Sequence, residues 1–333
     1  MTRPPGPTGP LGPVITRYIA LKTALGRRYA FEQRTCERLD AFLAAEGGAT
    51  AELTSGSFAR WTQTLSHLTP TVRRNHLRIV RNLCLYRRRT DPTCFVPDTS
   101  LFPAPHQVRA PYIFTVTEAA RLIAATRRLT TTPGAPLRPQ VFRLALTLLY
   151  TTGLRRGELL RLTVDDYEPR ERVLQIRASK FHKSRLVPLS PEVGRDVDAY
   201  LARCRRQFRT TPGTMPLIGH GLHTRRAYTG MGFGAGVRHL LRHLAIRTAD
   251  GRLPRVHDLR HTFAVHALLR WYRAGADLQA KLPLLATYMG HVSIASTAYY
   301  LPFVEPLRAA ASARFAQRCG ALVDARIGRK GRR

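Results

Sequence analysis

The side chains that could do chemistry in this chain gather in four short segments. The first is Thr151-Thr-Gly-Leu-Arg155-Arg-Gly-Glu158, and the second is Ala178-Ser-Lys180-Phe-His-Lys183-Ser-Arg185. The third is His257-Asp-Leu-Arg260-His261, and the fourth runs from Gly290-His291 to Tyr299-Tyr300. Guanidinium, ammonium, imidazole and phenol are together the parts needed to open a phosphodiester without a metal ion. A nucleophile must attack phosphorus, and fixed cations must take up the charge spread over the non-bridging oxygens. A proton donor must meet the leaving 5′ oxygen. A phenol suits the first task, because phenolate leaves more readily than an alkoxide and the covalent phosphotyrosine can be reversed by a hydroxyl. Read one residue at a time, alternatives stay open. Arg156 stands beside Arg155, Lys183 is near Lys180, and Tyr299 adjoins Tyr300. Each of these side chains also has an ordinary reading as a surface or core residue.

Charge points to the substrate class. The 333 residues carry 54 Lys plus Arg against 21 Asp plus Glu, a formal net charge of +33. Such an excess calls for a polyanion, and nucleic acid leads because neutralised phosphates release condensed counterions. An anionic membrane surface or ribosomal RNA is the duller partner. The cations are mostly Arg, whose planar fork matches phosphate oxygens and whose charge does not titrate away. Other chemistries lack their signatures. No GxxxxGKS phosphate loop and no HExxH cluster occurs. His239 and His243 lie four apart with no acidic third ligand, which favours a surface or DNA-facing pair over a metal site. No metal and no cofactor is expected. The cysteines (Cys36, Cys84, Cys94, Cys204, Cys319) are odd in number, scattered and without CxxC spacing, as in a reduced cytoplasmic protein. The N-terminus has no apolar leader core, and no run reaches the ~18 apolar residues of a membrane span.

The elements that must position these groups read as mainly α, in two domains. Residues 1–13 are rich in Pro and Gly and are expected to be flexible. From residue 14 to 90 the pattern is helical. Phe58, Trp61, Leu65 and Leu68 share one helix face, and Thr69-Pro70 opens another helix as cap and first residue. That helix has Val72, Ile79, Leu83 and Tyr86 as its expected inner stripe. Its outer faces hold Arg73, Arg74, Arg78, Arg81, Arg87, Arg88 and Arg89. With no carboxylate between Arg73 and Arg89, a phosphate-facing role is expected for them. Residues 91–112 contain Pro92, Pro97, Pro103, Pro105 and Pro111 and read as a linker. The second domain, 113–325, starts on the capping-box pattern Thr115-Val-Thr-Glu118. A buried helix is expected from Pro139 to Tyr150, a turn at Gly153, and helix again from Glu158. Two short strands, Val173–Ala178 and Leu186–Leu189, flank a polar turn. Ser190-Pro191 starts a further helix, and helical patterns fill most of 230–325. Residues 326–333 form a basic tail.

At the four segments the chain resembles the tyrosine recombinase family, also called the phage integrase family. The order of the boxes and their approximate spacing match over the catalytic region, about 113–325. The Arg-rich region before the linker is similar to the family's core-binding domain only in size, helicity and position. The longer stretch between Arg260 and His291 is similar to that of members carried on transposons and genomic islands. The resemblance implies a function: site-specific cleavage and rejoining of double-stranded DNA through a 3′-phosphotyrosine, with strand exchange by way of a Holliday junction. It also implies roles. Arg155 and Arg260 match the two arginines that clamp the scissile phosphate, and Tyr300, nine positions after His291, matches the nucleophile. His257 would accept the tyrosine proton, and His291 would bond a non-bridging oxygen. Lys180 would protonate the departing 5′ oxygen, and Glu158 would hold a catalytic side chain in place. His261 has no matching role and reads as support. Arg73, Arg74, Arg78, Arg81, Lys183 and Arg185 are the expected DNA-contacting cations. The expected assembly is a homotetramer on two DNA sites, alone or with related recombinases, nucleoid-associated and away from membranes. A terminal helix with Leu307, Ala311 and Phe315 on one face would suit packing within the chain or into the next protomer. Two other readings use the same residues: a type IB topoisomerase-like relaxing enzyme, and a DNA-binding accessory protein without catalysis. The Gly-His-x-x-x-x-x-Thr approach to Tyr300 favours recombination over relaxation, and the full set of occupied positions argues against a decayed enzyme.

Overall fold

The structure, a computed structural model, describes residues 9–27, 29–47, 51–104, 110–177, 184–208, 210–222, 224–291 and 293–303. It is mainly helical with small antiparallel sheets. The chain divides into two units, Met1–Arg109 and Ala110–Arg333.

The first unit is a set of helices, α1 (Gly12–Ala24), α2 (Ala30–Gly47), α3 (Ser55–Thr64) and α4 (Pro70–Arg87). Thr54 and Ser57 close a capping box at the start of α3, satisfying amides that a helix start leaves without partners. Thr69 precedes Pro70 at the start of α4 without a side-chain cap bond. Phe58, Trp61 and Leu65 are buried together with Ile79 and Leu83, and Leu68 and Tyr86 pack against them. Three expectations change here. Leu11 is buried, and the amides of Gly9 and Leu11 both bond Asp40, so residues 9–13 are tied to the core. Val72 is 39% exposed rather than part of the inner stripe. The Pro-rich stretch is no free linker over its first part, because Cys94 and Phe102 are buried and Phe95 and Val96 pack on the core.

The second unit is built around α6 (Arg138–Thr152), a helix buried nearly all round, from Val141 and Phe142 to Leu149. That is the pattern of a helix surrounded by others. Helix α5 (Val116–Ala125), α8 (Pro191–Gln207) and α10 (Asp258–Arg273) pack on it. Thr115 and Glu118 form the expected capping box, and the Ser190 hydroxyl accepts from the Val193 amide to start α8. The sheet is three-stranded, with β1 (Tyr167–Glu168), β2 (Val173–Ile176) and β3 (Arg185–Pro188) in antiparallel order. Leu174 pairs with Val187 and Ile176 with Arg185. The hairpin was legible as two strands; β1 is too short to show a period. A second small pair joins β4 (Gly219–His220) to β5 (Arg226–Ala227). Helix α7 (Arg156–Leu159) follows the turn at Gly153, and α9 (Gly230–His243), α11 (Leu278–Met289) and α12 (Ala295–Ala298) complete the described part. No helix among the described residues is long and apolar enough to cross a membrane.

Candidate active site

Three helix boundaries deliver the site. Helix α6 ends in Gly153, whose φ of +62° is left-handed, a conformation that a Cβ disfavours. The chain reverses there and presents Arg155 at the start of α7. Helix α11 ends the same way at Gly290, with φ +68°, and releases His291. The start of α10 supplies His257 as its N-cap and Arg260 one turn in.

The carbonyls at the end of α11 hold the arginines. Arg260 donates to the Met289 carbonyl at 2.9 Å and to the Gly153 carbonyl at 2.5 Å. Arg155 donates to the Gly290 carbonyl at 2.7 Å and to Glu158 Oε1 at 2.8 Å. The negative end of a helix macrodipole suits such cations and offsets their mutual repulsion. Arg260 is 2% exposed, whereas the Arg155 side chain is 26% exposed and reaches the surface. Burial, then the Arg155 charge, push the Arg260 pKa down.

Glu158 lies beneath them. Its carboxylate accepts from the Arg155 amide at 3.0 Å and from two nitrogens of Arg185, at 3.2 and 2.8 Å. Burial raises its pKa, but the bonds from Arg185 and Arg155 outweigh that and hold it at about 2. Arg185 also donates through Nε to the Tyr288 carbonyl at 2.8 Å, and its side chain is only 10% exposed. This corrects the expectation for Arg185. It points into the protein and is engaged by protein acceptors, instead of reaching outward to DNA. The signal was hidden because its acid partner lies in another segment of the chain.

Tyr300 is 3% exposed and packs among Ala264, Leu268 and Met289. Its polar end faces the site. Burial raises the phenol pKa, while the charge and hydrogen bond of Arg260 oppose that rise. The ring of His291 stacks on that of Tyr300 at 6.1 Å, and His261 lies 5.5 Å from it. His291 Nδ1 is bonded to Thr297 Oγ1 at 2.7 Å. His257 meets His261 edge-on at 4.7 Å. Partial burial, helped by the Arg and His charges, pushes His257, His261 and His291 down to about 4. His261 thus stands inside the cluster, between His257 and the tyrosine, with a buried Nδ1 that has no hydrogen-bond partner among the described residues. Tyr299 is 38% exposed and packs on Phe303.

Arg155, Glu158, His257, Arg260, His291 and Tyr300 therefore converge from distant parts of the chain. Lys180, Lys183, the terminal helix with Leu307, Ala311 and Phe315, Cys319 and the basic tail lie outside the described residues. In the first unit, Arg74 donates to the Pro103 carbonyl at 2.5 Å and Arg81 to that of Pro97. These two, expected on DNA, pin the Pro-rich stretch to α4. Arg87 pairs with Asp91 at 2.9 Å, just beyond the acid-free window. Arg78 is exposed and donates to Asn75, and Arg73 is half-buried. His243 bonds Arg128 rather than His239. No group of three or more His, Cys, Asp or Glu suited to a metal occurs among the described residues.

The family model described as "Phage integrase family" matches residues 114–303. A relative from Sinorhizobium fredii, y4rB, provisionally named an integrase/recombinase, is 32% identical over 86% of this chain and 91% of its own length. The tyrosine recombinase XerD of Xanthomonas axonopodis pv. citri is 33% identical over 67% of this chain and 68% of its own. Among solved structures, the XerH site-specific recombinase bound to palindromic difH substrate superposes with a TM-score of 0.59 at 18% identity. That match covers 85% of this chain and 78% of the other and is a likeness of fold. The chain belongs to the phage integrase family, the tyrosine recombinases.

Proposed function

We propose that this site-specific recombinase cuts and rejoins duplex DNA through a covalent 3′-phosphotyrosine formed on Tyr300. One observation supports this above the others: Arg155, Arg260, His291 and Tyr300 meet at the C-terminal end of one helix, α11. Arg155 and Arg260 bind the non-bridging oxygens of the scissile phosphate, and His291 donates a further bond through Nε2. Their fixed positions favour the charge that develops in the transition state. The Tyr300 oxygen attacks phosphorus as the bond from phosphorus to the 5′ oxygen breaks. His257, neutral at physiological pH, takes the phenolic proton, and Lys180 protonates the 5′ oxygen. A 5′ hydroxyl from a second duplex then attacks the phosphotyrosine and releases Tyr300. Repetition on the other strands passes through a Holliday junction, which calls for four copies on two sites, alone or with related recombinases. The first unit contributes DNA affinity around the core site. No cofactor is needed, because the phosphotyrosine retains the energy of the broken bond.

The test is a suicide duplex, nicked near the cleavage position and drawn from DNA flanking the gene. A covalent adduct is expected in EDTA, lost in Tyr300→Phe and retained in Tyr299→Phe. An adduct lost only with Tyr299→Phe would overturn the assignment.

A further inference from the structure

Three consecutive carbonyls end α11, and each receives a different guanidinium. Tyr288 accepts from Arg185, Met289 from Arg260 and Gly290 from Arg155. Only two of these arginines have a place in the proposed chemistry. We propose that the third, Arg185, is a positioning residue for strand cleavage: it takes up the charge of Glu158 so that Arg155 keeps its own for the scissile phosphate. This rests on the reading of the site as a phosphodiester-cleaving centre.

Charge is the first argument. Glu158 is buried and ionised, and it touches Arg155 directly. With no other cation, that contact would cancel one of the two clamps. Arg185 engages both carboxylate oxygens. Three guanidiniums less one carboxylate leave two positive charges at the site. A phosphodiester carries one negative charge and the five-coordinate transition state carries two, so the net charge suits the transition state better than the ground state.

Geometry is the second argument. Glu158 accepts from both the side chain and the amide of Arg155, so its orientation sets that of the clamp. Arg185 also passes directly against Gly290, where a Cβ would fall 2.8 Å from one of its guanidinium nitrogens. The residue after Gly290 is His291. Arg185 is the first residue of β3, directly downstream of the segment that carries Lys180. One side chain thereby ties the start of β3, the first arginine and the end of α11 that leads into His291 to a common reference.

The experiment uses the full chain and the nicked duplex, with DNA affinity and the single-turnover rate of adduct formation measured separately. Arg185→Met should slow adduct formation about 100-fold, as small misplacements of reacting groups do, with little loss of DNA affinity. Arg185→Lys should fall between it and the parent chain. The decisive variant is Arg185→Met combined with Glu158→Gln. Removing the uncompensated carboxylate should recover about tenfold or more of the lost rate, which a merely structural role would not predict. The proposal is overturned if Arg185→Met reacts at the parent rate. It is equally overturned if the double variant regains its melting temperature and still reacts no faster than Arg185→Met. A parent chain that forms no adduct overturns the recombinase reading as well; an active parent with an indifferent Arg185 overturns this inference alone.

Discussion

In the proposed reaction, His291 would depend on a neighbour that does no chemistry. To donate a bond to phosphate, its Nε2 must carry the proton, and Nδ1 must then accept. The Thr297 hydroxyl, buried and 2.7 Å from Nδ1, can donate that bond, and in doing so would hold the tautomer the proposed reaction needs. Thr297→Val is expected to slow adduct formation by about 10-fold or more, while Thr297→Ser retains most of the rate; single-turnover cleavage at saturating DNA checks this. The three depressed histidines have a consequence for stability. Unfolded, each would protonate near pH 6.5; folded, they resist protonation down to about pH 4. As pH falls through that window the unfolded chain binds more protons than the folded one, so stability is lost. The melting temperature without DNA should drop between pH 7 and pH 4.5, and His261→Gln should lessen the drop. A melting temperature flat across this range would mean that the three rings are well solvated.

At the scale of elements, the site hangs on two helix ends. Gly153 and Gly290 both adopt left-handed φ, and a Cβ at Gly153 would fall 2.4 Å from the Phe263 ring. Gly290→Ala should cost about 1–2 kcal/mol from φ alone, more once Arg185 is displaced, and should reduce cleavage together with stability; thermal melts alongside adduct assays measure both. The turn at Gly153 was legible in sequence; Gly290 was read only as part of the fourth box, not as the end of a helix. The capping box at Thr115 and the buried helix α6 were legible too, since caps and apolar runs are local signals. Arg185 was misread, and His261 was left without a role, for a shared reason. Their surroundings are set by residues from other segments, and an arginine in a basic turn looks the same whether it meets phosphate or a buried carboxylate. Val72 failed differently: its spacing fits the inner face, but it lies in the first turn of α4, at the margin of the core.

Across the whole molecule, the formal charge of +33 makes affinity for DNA strongly salt-dependent. The logarithm of the binding constant should fall linearly with that of salt concentration. The two kinds of arginine on α4 separate in this measurement. Arg78→Ala, at an exposed position, should shallow the slope by about 1 and leave the melting temperature unchanged. Arg74→Ala should leave the slope alone and destabilise the first unit, because its partner is the Pro103 carbonyl. The shelter around Tyr300 carries a further implication at this scale. A protein so attracted to any polyanion spends most encounters on the wrong sequence, and an accessible phenol would scar the genome at random. On the reading proposed above, a phenol buried beside Arg260 would work as a safety catch, withheld from loose, sequence-blind collisions until a partner reaches the arginine.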